Sequence, residues 1–456
     1  MEEINRYEKY KDSGIEWIGE IPVHWDIKRV KFIISNELGI QIGPFGSSLR
    51  SEFIRNVGYK IYGQENVIKD DFTLGYKYLD EDKFNELIKY ELFPGDIVIT
   101  MMGTTGKCKI VTENIEKGIM DSHLIRIRVN NDKILEKFFA VLINDSYSIM
   151  NNIKYESKGS IMEGLNSSII KSLYIPLPNI NEQSSIINFI YRKTAEIDCI
   201  IANKQKLISL YEEEKQAVIN RAVIRGLNVN CELKRISEEW IGEIPKHWEI
   251  KKVKLICKIQ GRIGFKGYKT SDLVFDGNGA ITLGATHITK FNKIDLSEPV
   301  YLSWDKYYES PEIMVKEGDI VFTQRGAYLG KVGLIDKDYG DVTINPSLIL
   351  LKNIKIHAPY LAYYLTSNYI RKSVDVISNS TAIPMISQEQ LANFYCLIPP
   401  IEEQVEISKF IEEKNIASDR LIEKVKNQIE LLQEYRTTLI SEVVTGKIKV
   451  PNTIEA

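Results

Sequence analysis

The feature that most constrains this chain is a block of sequence that occurs twice. Residues 16–25 read EWIGEIPVHW, and residues 239–248 read EWIGEIPKHW, 223 positions later. The strings PGDIVIT at 94–100 and EGDIVFT at 317–323 have the same offset. A repeat of this length corresponds to a whole domain and not to the unit of a solenoid, so the sequence predicts two related domains in tandem.

The similarity between the halves is interrupted in one region. Almost none is found between residues 37–91 and residues 259–315. It resumes further on, where EQ at 182–183 corresponds to EQ at 403–404. Two copies of one frame with different inserts predict two modules that read different half-sites on a duplex, at a fixed separation.

Each half divides into a globular part and a helical part. Residues 1–178 and 229–400 contain short β-rich runs between glycine-rich turns, which is typical of an α+β domain. The segments 179–228 and 401–456 begin with proline-free stretches, 179–226 and 401–446, that keep a heptad repeat. In the first helix the heptad positions are Ile187, Ile190, Thr194, Ile197, Ile201, Lys204, Ile208, Tyr211, Lys215, Val218 and Ala222. In the second they are Ser408, Ile411, Asn415, Ser418, Ile422, Val425, Ile429, Leu432, Arg436, Leu439 and Val443.

The heptads allow two arrangements. Either each helix lies on its own domain, or the two pair as an antiparallel coiled coil. We favour the coiled coil because polar residues interrupt both stripes at corresponding positions, which sets register. Paired in this way, about 40 residues at ~1.5 Å per residue would form a spacer of roughly 60 Å between two pseudo-symmetric globular domains.

Composition indicates a globular protein and limits how it can bind nucleic acid. The chain is 44% hydrophobic and 27% charged, with a net charge of −3. It has five scattered cysteines and no apolar run of the roughly 18 residues that a membrane span needs, so we expect a reduced, cytoplasmic protein. A protein that binds the DNA phosphate backbone without help from partners is usually basic. Contacts between this chain and DNA would therefore be local or shared with partners.

The double arrangement resembles the specificity subunits of type I restriction–modification systems, in which target-recognition domains alternate with conserved helices. The resemblance rests on EWIGEIPxHW, on GDIVxT with the glycines and the Gly-Lys pair that follow it, on PLPxxxEQ, and on the closing ISEVVTGKI at 440–448. The first helix ends, at 219–226, in a looser copy of that closing string. The similarity spans essentially the whole chain.

This resemblance implies a DNA reader without catalysis of its own. Such a chain would bind double-stranded DNA, two methyltransferase subunits and two restriction subunits that translocate and cleave DNA. The methyltransferase subunits would methylate adenine with S-adenosylmethionine, and the restriction subunits would use ATP and Mg. The chain itself would hold no cofactor and no metal.

The sequence lacks the motifs of a self-contained enzyme. An adenine methyltransferase carries (N/D)PP(Y/F), and the nearest string, Asn345-Pro346-Ser347-Leu348, predicts a turn that enters a strand. The strings GTTGK at 103–107 and GAYLGK at 326–331 fail the spacing of a phosphate-binding loop and predict hairpin turns. A free-standing bipartite DNA-binding regulator stays open as an alternative, although the absence of a strongly basic charge disfavours tight binding by the chain alone.

We expect DNA contacts where the halves differ, from side chains whose donors and acceptors match base edges or phosphates. In the first half these are Gln41, Ser47, Ser48, Arg50, Gln64, Asn66, Lys69, Lys107, Ser157, Lys158 and Ser160. In the second half they are Arg262, Lys266, Tyr268, Lys269, Thr286, His287, Thr289, Arg325, Lys331, Ser378, Asn379, Ser380 and Thr381. The segments 157–160 and 378–381 occupy the same place before each long helix.

Overall fold

The duplicated sequence folds into two α+β units, each with two hydrophobic cores of its own. In the computed structural model, unit 1 comprises Met1–Lys204 and Lys426–Ala456, and unit 2 comprises Gln205–Val425. The structure describes residues 5–35, 39–146, 149–151, 153, 165–236, 242–262, 264, 267–275, 277–289, 292–378 and 384–451.

Unit 1 is built on a four-stranded antiparallel sheet and a three-stranded mixed sheet. Its strands are β1 (Tyr10–Asp12), β2 (Glu20–Pro22), β3 (Asp26–Arg29), β4 (Ile40–Ile42), β5 (Tyr59–Tyr62), β6 (Tyr78–Leu79), β7 (Ile97–Thr100), β8 (Cys108–Ile110), β9 (Gly118–Met120), β10 (Leu124–Ile127) and β11 (Tyr174–Leu177). Its helices are α1 (Gln64–Lys69), α2 (Glu81–Glu86), α3 (Glu136–Asp145), α4 (Ser167–Ser172) and the first part of α5 (Ile180–Arg225), and the end of the second long helix, from Lys426 to Val444, also belongs to it. The sheet orders are β4-β10-β7-β8 and β6-β5-β9.

Unit 2 repeats this plan. Its strands are β12 (Leu233–Arg235), β13 (Glu243–Pro245), β14 (Glu249–Lys252), β15 (Lys258–Gly261), β16 (Leu273–Val274), β17 (Gly279–Leu283), β18 (Tyr301–Ser303), β19 (Ile320–Thr323), β20 (Val332–Leu334), β21 (Val342–Ile344), β22 (Leu348–Lys352) and β23 (Tyr395–Ile398). Its helices are α6 (Val253–Ile256), α7 (Trp304–Tyr308), α8 (Ala358–Leu365), α9 (Asn368–Ser378), α10 (Gln388–Ala392) and the first part of α11 (Ile401–Val444). The sheet orders are β15-β22-β19-β20 and β16-β18-β17-β21.

The frame continues through the inserts, where the two sequences share almost no residues. Gln41 of the first insert lies opposite Arg126 in unit 1, and Gln260 of the second insert lies opposite Leu350 in unit 2. The pair β5 and β9 is parallel, and so is the pair β17 and β21. The inserts therefore share strand order and direction, because backbone hydrogen bonds specify sheet pairing without fixing residue identity.

The two long helices are confirmed, and within each unit their segments pair. In unit 1, Asp198 meets Arg436 at 3.3 Å and the Lys204 ammonium donates to the Gln428 side-chain carbonyl at 2.7 Å. Residue numbers rise along one helix as they fall along the other, so the segments are antiparallel. In unit 2, Lys215 forms an ion pair with Asp419. The heptad positions are buried or half-buried, as the coiled-coil prediction requires.

The repeated EQ string ties each long helix to its globular part. The Gln183 side chain accepts the Leu135 N–H at 2.9 Å, and the Gln404 side chain accepts the His357 N–H at 2.8 Å. Leu135 and His357 are the N-cap residues of α3 and α8, so each glutamine stabilises the start of one helix. The same amides donate to the carbonyls of Pro178 and Pro399, at 2.8 Å in each case. Both glutamines are buried, so this shared motif is structural.

Candidate nucleic-acid interface

Three connecting segments, which we call loops although the first is a short helix in each unit, meet at one edge of each unit, beyond the carboxyl ends of the parallel strand pair. In unit 1 they are Gln64–Lys69, 101–107 and 121–123, and residues 41–50 pack beside them. In unit 2 they are Ala285–His287, 324–331 and 345–347. We call these sets the loop surface of unit 1 and the loop surface of unit 2.

The first loop begins at a glycine that is capped in the same way in both units. The Gly63 N–H donates to the Asn66 side-chain carbonyl at 2.9 Å, and the Gly284 N–H donates to His287 Nδ1 at 2.9 Å. A side chain on either glycine would crowd the adjacent turn, since a Cβ would lie 3.0 Å from the Asp121 carboxylate or 2.7 Å from the Asn345 amide. Glycine is therefore needed at both positions for close packing of the two loops.

The second loop is a turn held by an Asp or Asn side chain. Asp121 Oδ1 accepts the His123 N–H, and Asn345 Oδ1 accepts the Ser347 N–H, at 2.8 Å in both units. Asn and Asp favour such turns because the side chain replaces a backbone acceptor. The predicted turn at Asn345-Pro346-Ser347-Leu348 is thus confirmed, and β22 begins at Leu348.

The third loop is the hairpin after GDIVxT, as predicted. Gly106 N donates to Thr100 O at 2.9 Å, and Gly330 N donates to Thr323 O at 2.9 Å. Gly106 has φ 83° and Gly330 has φ 81°, a left-handed conformation that glycine adopts without strain. In unit 1 the hairpin contacts the first loop, where Met102 N donates to the side-chain oxygen Oε1 of Gln64 at 3.4 Å. In unit 2 Gln324 Nε2 donates to Pro346 O of the turn at 2.8 Å.

Most of the predicted contact residues that the structure describes lie at or near these surfaces. The exposed ones are Ser47, Arg50, Lys69, Lys107, Lys269, Thr286 and Arg325, and the half-buried ones are Gln41, Ser48, Gln64, Tyr268, Thr289 and Lys331. Ser157, Lys158, Ser160, Lys266, Asn379, Ser380 and Thr381 lie outside the described residues. A contact between any of these side chains and DNA stays a prediction.

The structure corrects the prediction for Asn66, Arg262 and His287, which are buried with their polar atoms engaged inside the unit. Asn66 Nδ2 donates to the carbonyls of Asp71 and Leu74, at 3.0 and 2.9 Å. Arg262 donates to Ile344 O and to the Thr343 hydroxyl, both at 3.2 Å, and burial lowers the pKa of its guanidinium. These three side chains support the loops and do not present open donors or acceptors to a base.

Ser378 and Lys331 also turn inward. Ser378 is buried, and its hydroxyl donates to Asp375 O at 3.2 Å within α9. The Lys331 ammonium donates to Ile288 O at 2.6 Å, which ties the hairpin of unit 2 to the end of the first loop. Both residues therefore act within the scaffold of the loop surface.

The exposed cations of the loop surfaces differ in their surroundings. Arg50 lies 3.8 Å from Glu52, and Lys69 lies 2.7 Å from Glu65. Within the part of the chain that the structure describes, Arg325 forms no ion pair, whereas Lys107 interacts electrostatically with the Asp145 carboxyl group without forming an ion pair. Cations without a carboxylate partner attract phosphates or base acceptors most strongly, because no neighbouring charge offsets theirs.

Two features of these surfaces were not predicted from the sequence. One is the turn at Asp121–His123, although the matching Asn345 lies at nearly the same offset as the other repeats. The other is Phe45, whose ring is 83% exposed beside Ser47 and Ser48. An aromatic residue between glycines, in a segment that differs between the halves, could have been recognised from the sequence.

The described residues contain neither a membrane-spanning helix nor a cluster of metal ligands. No helix there has a stretch that is both long enough and apolar enough to cross a membrane. No group of three or more His, Cys, Asp and Glu side chains in those residues is arranged to hold a metal ion.

Comparison with known proteins gives consistent matches over both halves. Residues 46–209 and 245–431 match the family model described as "Type I restriction modification DNA specificity domain". The type I restriction enzyme MjaVIII specificity subunit of Methanocaldococcus jannaschii is 27% identical over 346 residues, which cover 74% of this chain and 76% of that protein. The type I restriction enzyme EcoKI specificity subunit of Escherichia coli is 20% identical over 420 residues, or 87% of this chain and 86% of the relative.

Solved structures share the fold over nearly the whole chain. A chain described under "Structural basis underlying complex assembly and conformational transition of the type I R-M system" superposes with a TM-score of 0.66 at 16% identity, covering 94% of this chain and 99% of that one. The HsdS subunit from Thermoanaerobacter tengcongensis superposes with a TM-score of 0.53 at 15% identity, covering 94% and 98%.

Proposed function

Because the chain belongs to the family of type I restriction–modification DNA specificity domains, we propose that each of its units reads one half of an asymmetric, two-part DNA target. The observation that carries the proposal is the pair of loop surfaces. They share their supporting hydrogen bonds and differ in the side chains they expose, as two readers of different sequences would.

The side chains that differ are of the kinds that distinguish bases. Unit 1 presents Met102 at the start of its hairpin, where unit 2 presents Arg325. Arginine suits the O6 and N7 acceptors of guanine, whereas an apolar side chain suits the methyl group of thymine. Two such surfaces on one frame would give half-sites of different sequence.

The paired helices would set the gap between the half-sites. Removing residues 198–204 together with 428–434 deletes one heptad from each of the facing segments and preserves the apolar stripes. Seven residues at ~1.5 Å each shorten the pair by about 10 Å, or about 3 base pairs at ~3.4 Å per pair. We expect both half-sites to be kept while the gap shortens, and an unchanged gap would disprove this role.

Catalysis would belong to partner subunits. In this proposal the chain acts in the cytoplasm, docks two adenine methyltransferase subunits that use S-adenosylmethionine, and docks two restriction subunits that use ATP and Mg. The chain contributes sequence recognition, and the partners contribute some of the contacts to the phosphate backbone. The weak net charge of −3 is consistent with that division.

The test is single-molecule methylome sequencing of a host that lacks other adenine methylation and expresses the chain with its methyltransferase subunit. We expect methyladenine in an asymmetric two-part motif with a fixed, undefined spacer. Stable assembly with the methyltransferase but no new methylation would refute the reading role. A chain that binds DNA but never co-purifies with a methyltransferase would instead support a free-standing regulator.

A further inference from the structure

Phe45 is an exposed aromatic ring in the loop surface of unit 1 that no part of the fold requires. Its side chain is 83% exposed, next to the short 3-10 helix Gly46–Leu49. A phenyl ring in water forgoes the stabilisation that burial would bring, so contact with an apolar group of a ligand at this surface would be favourable.

The loop that carries Phe45 is held firmly. Gly43 packs against the turn so closely that a Cβ there would lie 1.7 Å from Asp121 O, and its N–H donates to Leu124 O at 2.9 Å. Pro44 is buried, and Ser48 N donates to Phe45 O at 2.8 Å. The ring is therefore positioned by the backbone and not by a flexible tail.

The neighbours of Phe45 restrict the chemistry of the partner. Ser47 and Arg50 are exposed in the same loop, and Ser48 is half-buried. Their hydroxyl and guanidinium groups suit the polar edges of bases and phosphates. An apolar ring among such groups requires an apolar feature on the same ligand, and the major groove of DNA offers one, the 5-methyl group of thymine.

We propose that Phe45 contacts the 5-methyl group of a thymine in the half-site read by unit 1, and so selects an A·T pair at that position. This inference rests on the proposed DNA-reading function. It adds to that function a base identity at one position and the residue that specifies it.

The experiment measures binding of the full chain, in complex with its methyltransferase subunit, to duplexes that contain the methylated motif. Each thymine of the half-site that unit 1 reads is replaced in turn by deoxyuridine, which removes only the methyl group. For the unaltered chain we expect one position at which deoxyuridine weakens binding about fourfold, the effect of one buried methyl group at ~0.8 kcal/mol. Phe45→Ala should weaken binding to the thymine duplex and be insensitive to deoxyuridine at that position.

Two further variants make the result specific. Phe32→Ala is the matched control, because Phe32 is also an exposed ring of unit 1, at 56%, and lies outside the loop surface. It should bind as the unaltered chain does. Phe45→Leu should restore part of the sensitivity to the methyl group, because an apolar side chain is retained.

The remaining outcomes overturn the inference. The inference would be wrong if the half-site read by unit 1 contained no A·T pair. It would also be wrong if deoxyuridine weakened binding equally for the Phe45→Ala variant and for the unaltered chain. A Phe45→Ala variant that binds the thymine duplex as tightly as the unaltered chain would also contradict the inference. In those cases specific binding by the unaltered complex would still support the proposed function, whereas no specific binding at all would overturn both.

Discussion

Asp121 in unit 1 and Asn345 in unit 2 hold the same turn, and each accepts the N–H of the second residue after it. Other residues of these turns and of the adjacent hairpins differ between the two units. His123 in one unit corresponds to Ser347 in the other, and Met102 corresponds to Arg325. Both turns therefore retain a side-chain oxygen that accepts a backbone N–H, although neither this residue nor its neighbours are identical in the two units.

The interiors of the two units have also diverged, at the centre of the four-stranded sheet. Arg126 in β10 and Leu350 in β22 occupy the same register, opposite Val98 and Val321 respectively. Arg126 is 1% exposed, and it donates from Nη1 to Glu91 O at 2.6 Å. Its Nε and Nη2 have no hydrogen-bond partner among the described residues, and burial lowers the pKa of its guanidinium to about 10.

A third difference lies at the repeated His-Trp pair. In unit 2, Glu403 accepts from Trp248 Nε1 at 2.8 Å and contacts His247 at 2.6 Å. In unit 1, Glu182 contacts His24 at 3.1 Å and accepts the Tyr7 hydroxyl at 2.7 Å. Trp25 Nε1 is left without a partner among the described residues, because Tyr7 occupies the carboxylate that the tryptophan uses in unit 2.

The largest effect should come from exchanging the residues at the sheet centre. Leu350→Arg places a guanidinium in an apolar core and should lower the free energy of unfolding of unit 2 by about 3–5 kcal/mol. Arg126→Leu should change unit 1 little, because the loss of the hydrogen bond to Glu91 O is offset by the removal of a buried charge and three N–H groups without partners. Hydrogen exchange of peptides from each unit measures both. Equal destabilisation by the two variants would show that Arg126 is as well accommodated as Leu350.

Exchanging the residues at the start of the hairpin should alter recognition. If Arg325 contacts guanine in the second half-site, Arg325→Met should cost about 1–3 kcal/mol in binding and relax the preference at that position. Binding of the complex to duplexes with each base at each position measures this. Arg420→Met, at an exposed position of the second long helix, is the charge-matched control and should leave the preference intact. A uniform loss over all sequences would instead indicate a phosphate contact.

The tryptophan pair should respond unequally to the same substitution. Trp248→Phe removes a hydrogen bond to a carboxylate, whereas Trp25→Phe removes none, and both leave a similar cavity. We expect Trp248→Phe to be the more destabilising by about 1 kcal/mol. Denaturant unfolding with hydrogen exchange in each unit provides the values, and equal losses would mean that the bond to Glu403 adds no stability.

The smallest effect should be a difference in pH dependence at the cap of α8. Burial lowers the pKa of His357, whereas its counterpart in unit 1, Leu135, does not titrate. The unfolded chain therefore binds the proton more readily, and unit 2 should lose stability as the pH falls below about 6.5. The nearby groups are Ser408, 3.1 Å from His357 Nδ1, and Lys409 and Glu412, which line the same cleft. His357→Leu should remove this slope in unit 2 without affecting unit 1.

The sequence by itself determined the features that depend on local pattern or on repetition. The duplication predicted two equivalent units, and the heptads predicted the long helices and the buried faces along which they pair. The Asn345 turn and the two hairpins were also predicted correctly, because Asn, Pro and Gly favour those conformations through contacts with their immediate neighbours.

Only the tertiary structure decided which polar residues face outward and how the inserts pair. Asn66, Arg262 and His287 are of the residue types that read bases, yet all three are buried. Neighbouring residues of the chain bond to Asn66 and His287, whereas Arg262 bonds to residues 343 and 344 of a distant strand. The inserts share strand order without sequence similarity, because sheet pairing is made by backbone groups that every residue except proline carries. Burial is set by parts of the chain far away in sequence, so a single segment does not reveal it.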